Sequence, residues 1–137
     1  MPLVRIDLNR GRTRRQVQGI CDAIHNAIVE VFEIPVRDRF QVVSQLDYGS
    51  IIAEDAGLGF ERSEGVVMIQ IFTQRGRSDQ QKQHLYARIA ANLNGVGVLE
   101  QDIFIGYQEN GPSDWSFGFG VAQYLTGELK VPTSQPS

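Results

Sequence analysis

Two stretches, RGRTRRQ at residues 10–16 and RGRSDQQ at residues 75–81, are nearly the same and decide the fold. In each, a hydroxyl residue is followed three positions later by Gln, with Thr13 in the first copy and Ser78 in the second. This is the capping-box pattern, in which the hydroxyl and the Gln each satisfy a backbone N–H group at the start of a helix. Each stretch therefore predicts a helix directly after an Arg-Gly-Arg turn, and the repeat indicates a duplicated folding unit.

Strand-like sequences lie on both sides of each predicted helix. PLVRIDL, from Pro2, alternates apolar and polar residues, and VVMIQIF, from Val66, is almost continuously apolar, as buried strands are. RFQVVSQL, from Arg39, and DIFIGYQE, from Asp102, follow the helices. The pattern predicts an α/β (α+β) fold of two fused β-α-β units. Its core would be a four-stranded, mainly parallel sheet with both helices on one face.

The chain is expected to form a single domain over residues 1–137. Its predicted parts are a first β-α-β unit at 2–46, a connector at 47–65, a second unit at 66–110, a C-terminal aromatic segment at 111–130 and a flexible tail at 131–137.

Composition argues against several classes of protein. A net charge of −3 does not favour nucleic-acid binding, and no apolar run approaches the roughly 20 residues of a membrane span. Cys21 is the only cysteine, and His25 and His84 have no recognisable metal spacing, so we expect no metal and no cofactor. Arg5 and Asp7 interrupt the first apolar run, which argues against a signal peptide and favours a cytoplasmic location.

A duplicated β-α-β chain that begins Met-Pro resembles the tautomerase superfamily, whose helix entries often read Gly-Arg-Ser or Gly-Arg-Thr. The closer resemblance is to its malonate semialdehyde decarboxylase branch. The segments that carry it are PLVRIDL, IPVRDRFQVVSQ, EDAGLGFERS, RGRS and DWSFGFGVAQYLTGEL, spread over nearly the whole chain.

The resemblance implies a set of site residues. Removal of Met1 would free the amine of Pro2, which with Asp38 would be catalytic. Arg75 and Arg77 would bind the substrate carboxylate, since arginine pairs with carboxylates in a bidentate geometry. The resemblance also implies a homotrimer. The apolar wall of the pocket would consist of Trp115, Phe117, Tyr124 and Leu129.

Plainer interpretations of these residues stay open at this point. The Arg-Gly-Arg segments could be tight strand-to-helix turns with solvated arginines. Asp38, between two arginines, could form a surface ion pair. Trp115 and Phe117 could belong to the core or to a subunit interface.

The leading prediction is decarboxylation of malonate semialdehyde to acetaldehyde and CO₂, with hydratase activity as a side reaction. The substrate would be a small 3-oxo or unsaturated carboxylic acid. Alternatives are a hydratase or dehalogenase of three-carbon unsaturated acids, similar to cis-3-chloroacrylate dehalogenase, and a keto–enol tautomerase. A binding or cytokine-like protein of the same superfamily is the non-enzyme alternative.

Overall fold

The computed structural model describes residues 2–131 of the chain. Of the predicted tail, residues 132–137 lie outside the described part, as does Met1. The regular elements are β1 (Leu3–Asn9), α1 (Arg14–Phe32), β2 (Phe40–Leu46), β3 (Val67–Gln74), α2 (Asp79–Asn94), β4 (Ile103–Asn110) and α3 (Gln123–Thr126). Single turns of 3-10 helix at Glu100–Asp102 and Pro112–Asp114 precede and follow β4.

The four strands form one sheet in the order β2-β1-β3-β4. The outer pairs, β1 with β2 and β3 with β4, are parallel, as each β-α-β unit requires, whereas the central pair β1 and β3 is antiparallel. The sheet is therefore mixed, and the predicted fold of two fused β-α-β units is confirmed. The antiparallel centre places the start of β1 beside the end of β3.

The helix starts follow the predicted capping boxes. Thr13 Oγ1 accepts a hydrogen bond from the Gln16 N–H at 3.1 Å, and Gln16 Oε1 accepts one from the Thr13 N–H at 2.8 Å. Ser78 and Gln81 form the same pair of bonds at the start of α2. These caps fix the point at which each Arg-Gly-Arg turn enters its helix.

The core lies between the two helices and one face of the sheet. Alternate residues of the central strands, among them Ile6 and Ile69, point to the helices and are fully buried. Helix residues with the 3.6-residue period cover them, and burying each such side chain contributes about 1.5–3 kcal/mol. The principal helix residues in this core are Ile20, Ile24, Ile28, Leu85, Ile89 and Leu93.

The opposite face of the sheet, which we call the open face, carries no helix of the described chain. Phe40, Val42 and Phe104 lie on it with 39%, 46% and 44% of their surface exposed. Arg5 and Gln70 are exposed on the same face, so it is mixed in character. Exposed aromatic and aliphatic residues on a sheet face are typical of a surface that another chain covers. Within residues 2–131, neither long helix combines the length and apolar character that crossing a membrane requires.

Candidate active site

Pro2 is buried at the start of β1, where three strand ends meet. Leu3 pairs with Phe40 of β2 and with Phe72 of β3. Extending the antiparallel register by one residue places Pro2 opposite Thr73, next to the last residue of β3. The residues that precede β2 and those that follow β3 therefore surround Pro2.

Asp38 comes from the loop between α1 and β2 and is 8% exposed. Its N–H donates to the Pro35 carbonyl at 3.0 Å, and Nε2 of the buried His25 lies 2.7 Å from the Val36 carbonyl, so α1 holds this loop. Burial raises the pKa of Asp38, while the positive charges of His25 and Arg77 act in the opposite direction. A buried carboxyl with a raised pKa beside cationic groups is typical of an acid–base site.

The two arginines of the second repeat have different surroundings. Arg77 is partly buried, and its guanidinium carbon lies 4.5 Å from the centre of the Phe32 ring of α1. Arg75 is exposed, and its guanidinium packs against Gly111, where a Cβ atom would lie 3.0 Å from Nη1. Arg77 therefore lies against α1, where its charge acts on Asp38, whereas Arg75 lies against the segment that follows β4.

The aromatic segment after β4 folds back over the start of β2. Trp115 and Phe117 stack in parallel with ring centres 5.7 Å apart, and Phe117 makes an edge contact with Tyr124 at 5.4 Å. Phe117 also contacts Phe40 at 5.6 Å. These contacts form a continuous aromatic wall from the open face to the Asp38 loop.

Two side-chain hydrogen bonds hold the wall in place. Trp115 Nε1 donates to Asn110 Oδ1 at 2.8 Å. Gln123 accepts from the Phe117 N–H at 2.9 Å, and its own carbonyl accepts from the N–H of the partly buried Leu129 at 3.1 Å. All four predicted wall residues therefore belong to one connected segment.

Tyr124 links the wall to the polar residues. It is 7% exposed, and burial raises its pKa to about 12, with the nearby charge of Asp38 adding to the shift and Gln74 and Arg77 opposing it. Its hydroxyl is therefore a neutral hydrogen-bond donor at every pH at which an enzyme normally works.

The structure adds residues that the sequence reasoning did not single out. Thr73 Oγ1, Gln74 Nε2 and the Tyr107 hydroxyl are buried, and among the described residues they have no hydrogen-bond partner. Buried polar atoms are nearly always paired, so unpaired ones near a candidate site favour contact with a ligand. A signal was available: β3 is an apolar strand that ends in two polar residues, Thr73 and Gln74.

A cavity of about 510 Å³ lies on the open face, next to the wall. Trp115 and Phe117 line it, together with apolar residues of three strands, Leu3, Phe40 and Phe72. Pro2, Asp38 and Arg77 are not among its lining residues. The cavity also has polar lining from Asn110, Asp114 and Ser116, and it adjoins Pro2 through Leu3.

Comparison with protein-family models gives two matches, both described as tautomerase enzymes, over residues 2–61 and 38–118. The second covers more than half of the chain and includes Asp38, Arg77 and the wall as far as Phe117. The chain belongs to the tautomerase family. The predicted recognition, and with it the prediction of an enzyme, is confirmed.

One curated relative and three solved structures match nearly the whole chain. The probable tautomerase YrdN of Bacillus subtilis (strain 168) is 39% identical over 94% of this chain and 100% of its own length. A crystal structure of FG41 malonate semialdehyde decarboxylase inhibited by 3-bromopropiolate is 55% identical, with a TM-score of 0.93, covering 95% of this chain and 99% of that one.

Structures of wild-type, mutant and inactivated malonate semialdehyde decarboxylase, described as a basis for decarboxylase and hydratase activities, are 40% identical. Their TM-score is 0.89, and the match covers 93% of this chain and 98% of that one. A fused 4-OT asymmetric trimer, at 20% identity and a TM-score of 0.72 over 90% of this chain and 98% of that one, shows the likeness of fold alone.

Proposed function

We propose that this chain decarboxylates malonate semialdehyde to acetaldehyde and CO₂, with Pro2 as the reacting amine. The observation that carries the proposal is the position of a buried proline at the start of β1, beside a buried carboxyl whose pKa is raised. The 55% identity to a protein described as a malonate semialdehyde decarboxylase supports the same reaction.

The reaction needs a group that accepts electrons at the aldehyde end of the substrate. As the bond between C2 and the carboxylate breaks, its electron pair moves towards the aldehyde carbonyl. A protonated Pro2 amine can stabilise that carbonyl by a hydrogen bond, or Pro2 can condense with the aldehyde, releasing water, to give an iminium ion. The carboxylate of Asp38 would favour the cationic form of the amine.

The groups proposed to contact the substrate carboxylate favour its release as CO₂. Its negative charge disappears as CO₂ forms, so a strong double-arginine clamp would stabilise the substrate more than the transition state. Arg77 is partly buried and acts on Asp38 and Tyr124, whereas Arg75 is exposed beside Gly111. We therefore propose Arg77 as the principal cation, with Gln74 and Tyr124 as neutral donors. Neutral donors orient a carboxylate with less ground-state stabilisation than a second cation would give.

Hydration of an unsaturated acid is the second candidate activity, and the pairing of Arg77 with a titratable Asp38 favours it. Water activated by Asp38 would add to the β-carbon while negative charge builds towards the carboxylate, where Arg77 becomes more effective. The aromatic wall favours decarboxylation instead, so we propose hydration as a minor activity.

Turnover by protein of the correct mass tests the proposal. Protein shown by mass spectrometry to begin at Pro2 is mixed with malonate semialdehyde, and acetaldehyde is followed by proton NMR. We expect rapid acetaldehyde formation, lost in Pro2→Ala and reduced at least tenfold in Arg77→Ala. Arg10→Ala, which removes an exposed arginine of the first repeat at the opposite end of β1 from Pro2, should leave the rate unchanged. Absence of acetaldehyde from folded protein that begins at Pro2 would rule the reaction out.

We also propose that the working enzyme is a homotrimer assembled through the open face. The exposed Val42 and Phe104 supply an apolar surface for such an interface. The cavity lined by Trp115 and Phe117 opens on the same face, so assembly would enclose it.

A further inference from the structure

The two ends of the sheet carry aligned copies of one sequence. PLVRIDLNRGRT, residues 2–13, matches VMIQIFTQRGRS, residues 67–78, without a gap. In this alignment Pro2 corresponds to Val67. Because β1 and β3 are antiparallel, the two copies start at opposite ends of the sheet.

The polar residues of the Pro2 site recur at the Val67 end. Asp38 and Asp102 each stand two residues before a phenylalanine of the following strand, and both are buried, with 8% and 1% of their surface exposed. The alignment pairs Gln74 with Asn9 and Arg77 with Arg12.

At the Val67 end, a segment of the same chain donates hydrogen bonds to the aspartate. Asp102 accepts hydrogen bonds from the Ser63 N–H at 2.7 Å and from the Ser63 hydroxyl at 2.5 Å. Ser63 belongs to the connector, four residues before Val67. A peptide segment thus donates to the carboxylate that corresponds to Asp38.

The side chains that correspond to Gln74 and Arg77 donate hydrogen bonds to the next two residues of the connector. Arg12 Nη2 donates to the Gly65 carbonyl at 2.7 Å, and Asn9 Nδ2 donates to the Glu64 carbonyl at 2.8 Å. A Cβ atom on Gly65 would lie 3.2 Å from Arg12 Nη2 and 3.3 Å from Asp102 Oδ2. The segment therefore fits closely against the groups that hold it.

We propose that the Asp102 end of the sheet is a second copy of the Pro2 site, permanently occupied by connector residues 63–65 as its bound ligand. Its aspartate, arginine and amide bind peptide groups where the first site would bind substrate. The occupied copy contributes to stability and holds the connector, and it takes no part in turnover.

The occupied copy also indicates what the first site binds, an extension that rests on the proposed function. Arg12 and Asn9 hold two carbonyl oxygens, and Asp102 holds two hydrogen-bond donors. By correspondence, Arg77 and Gln74 would hold two oxygen acceptors of a ligand, and Asp38 would face a donor. A short 3-oxo acid supplies the acceptors, and the protonated Pro2 amine or a water molecule supplies the donor.

A matched pair of variants, Asp102→Asn and Asp38→Asn, tests the proposal in the full chain. For Asp102→Asn we expect the urea midpoint to fall by about 1 M, since a buried charged hydrogen bond is lost. Hydrogen exchange at the amides of residues 63–65 should become at least tenfold faster, with kcat/KM within about twofold of wild type. Asp38→Asn should keep that amide protection and lose roughly 100-fold or more in kcat.

Ser63→Ala, which removes one hydroxyl and keeps the N–H, serves if Asp102→Asn does not fold. It should accelerate exchange at residues 63–65 without changing kcat/KM. Unchanged exchange in both variants, or a loss of kcat in Asp102→Asn equal to that in Asp38→Asn, would overturn the proposal. The exchange and urea results hold whether or not the protein decarboxylates malonate semialdehyde, so failure of the proposed function is detected separately.

Discussion

The buried position of Asp38 makes the ionised form of its carboxyl costly in the folded protein. Burial raises its pKa from the ordinary value of 3.8, so the folded state binds the proton more tightly than the unfolded chain does. Its contribution to stability is therefore complete below pH 3.8 and is lost as the pH rises through the raised pKa. Ionising Asp38 therefore costs more free energy in the folded protein than in the unfolded chain.

The first prediction follows because the contribution of Asp38 to stability falls as the pH rises. Asp38→Asn should raise the melting temperature at pH 7, by roughly 2–8 °C for an effect of about 1 kcal/mol, and the gain should shrink towards pH 4. Thermal unfolding at both pH values measures it, with Asp114→Asn, on the exposed turn after β4, as the control. An equal or larger gain at pH 4 would contradict a raised pKa for Asp38.

Gln74 allows a second prediction at the scale of one residue. Its amide is buried and acts on the Tyr124 hydroxyl, so Gln74→Met, which is similar in volume, should lower the unfolding free energy by no more than about 1 kcal/mol. If the amide binds substrate, kcat/KM should fall about tenfold, equivalent to one hydrogen bond of roughly 1.4 kcal/mol. Urea unfolding and steady-state kinetics measure the two effects, and Gln108→Met, exposed on β4, is the control. Loss of stability with full activity would show that Gln74 is structural.

At the scale of elements, the two capping boxes form a matched experiment. Thr13→Ala and Ser78→Ala should each cost about 1 kcal/mol of unfolding free energy, because each removes the same N-cap bond. Ser78 directly follows Arg77, so loss of its cap should also shift Arg77 and lower kcat/KM. Thr13 follows Arg12 at the other end of the sheet, so Thr13→Ala should leave kcat/KM unchanged. Urea unfolding measures the loss of stability in both variants, and steady-state kinetics measures the change in kcat/KM. Equal kinetics in the two would mean that the helix cap does not position Arg77.

The sequence predicted most of the elements because their signals are local. The capping boxes, the 3.6-residue period of α1 and the apolar run of β3 each depend on a few neighbouring residues. The pairing of β1 with β3 is long-range, and no local pattern indicated that the sheet is antiparallel at its centre. For the same reason Thr73 and Gln74 were missed as neighbours of Pro2, since only the register of β1 against β3 places them there.

The candidate site was predictable only in part for a related reason. Pro2, Asp38 and the arginines came from a resemblance, which names residues but gives no side-chain directions. Arg75 and Arg77 are two residues apart, yet one lies against Gly111 and the other against Phe32. The intervening Gly76 has a φ of 135°, a conformation that favours glycine, and it lets the two side chains diverge.

At the scale of the whole molecule, the open face leads to the last prediction. If a homotrimer forms through this face, Val42→Glu should dissociate it, because an unpaired charge buried in an interface costs several kcal/mol. Val96→Glu is the matched control: Val96 is 47% exposed against 46% for Val42, but it lies after α2, away from the open face.

Sedimentation velocity at micromolar concentration should show trimers for wild type and Val96→Glu, and monomers for Val42→Glu. Acetaldehyde formation should fall with dissociation, since Trp115 and Phe117 line a cavity on that face. A wild-type protein that sediments as a monomer would exclude the trimer, and the exposed Phe40, Val42 and Phe104 would then need another partner.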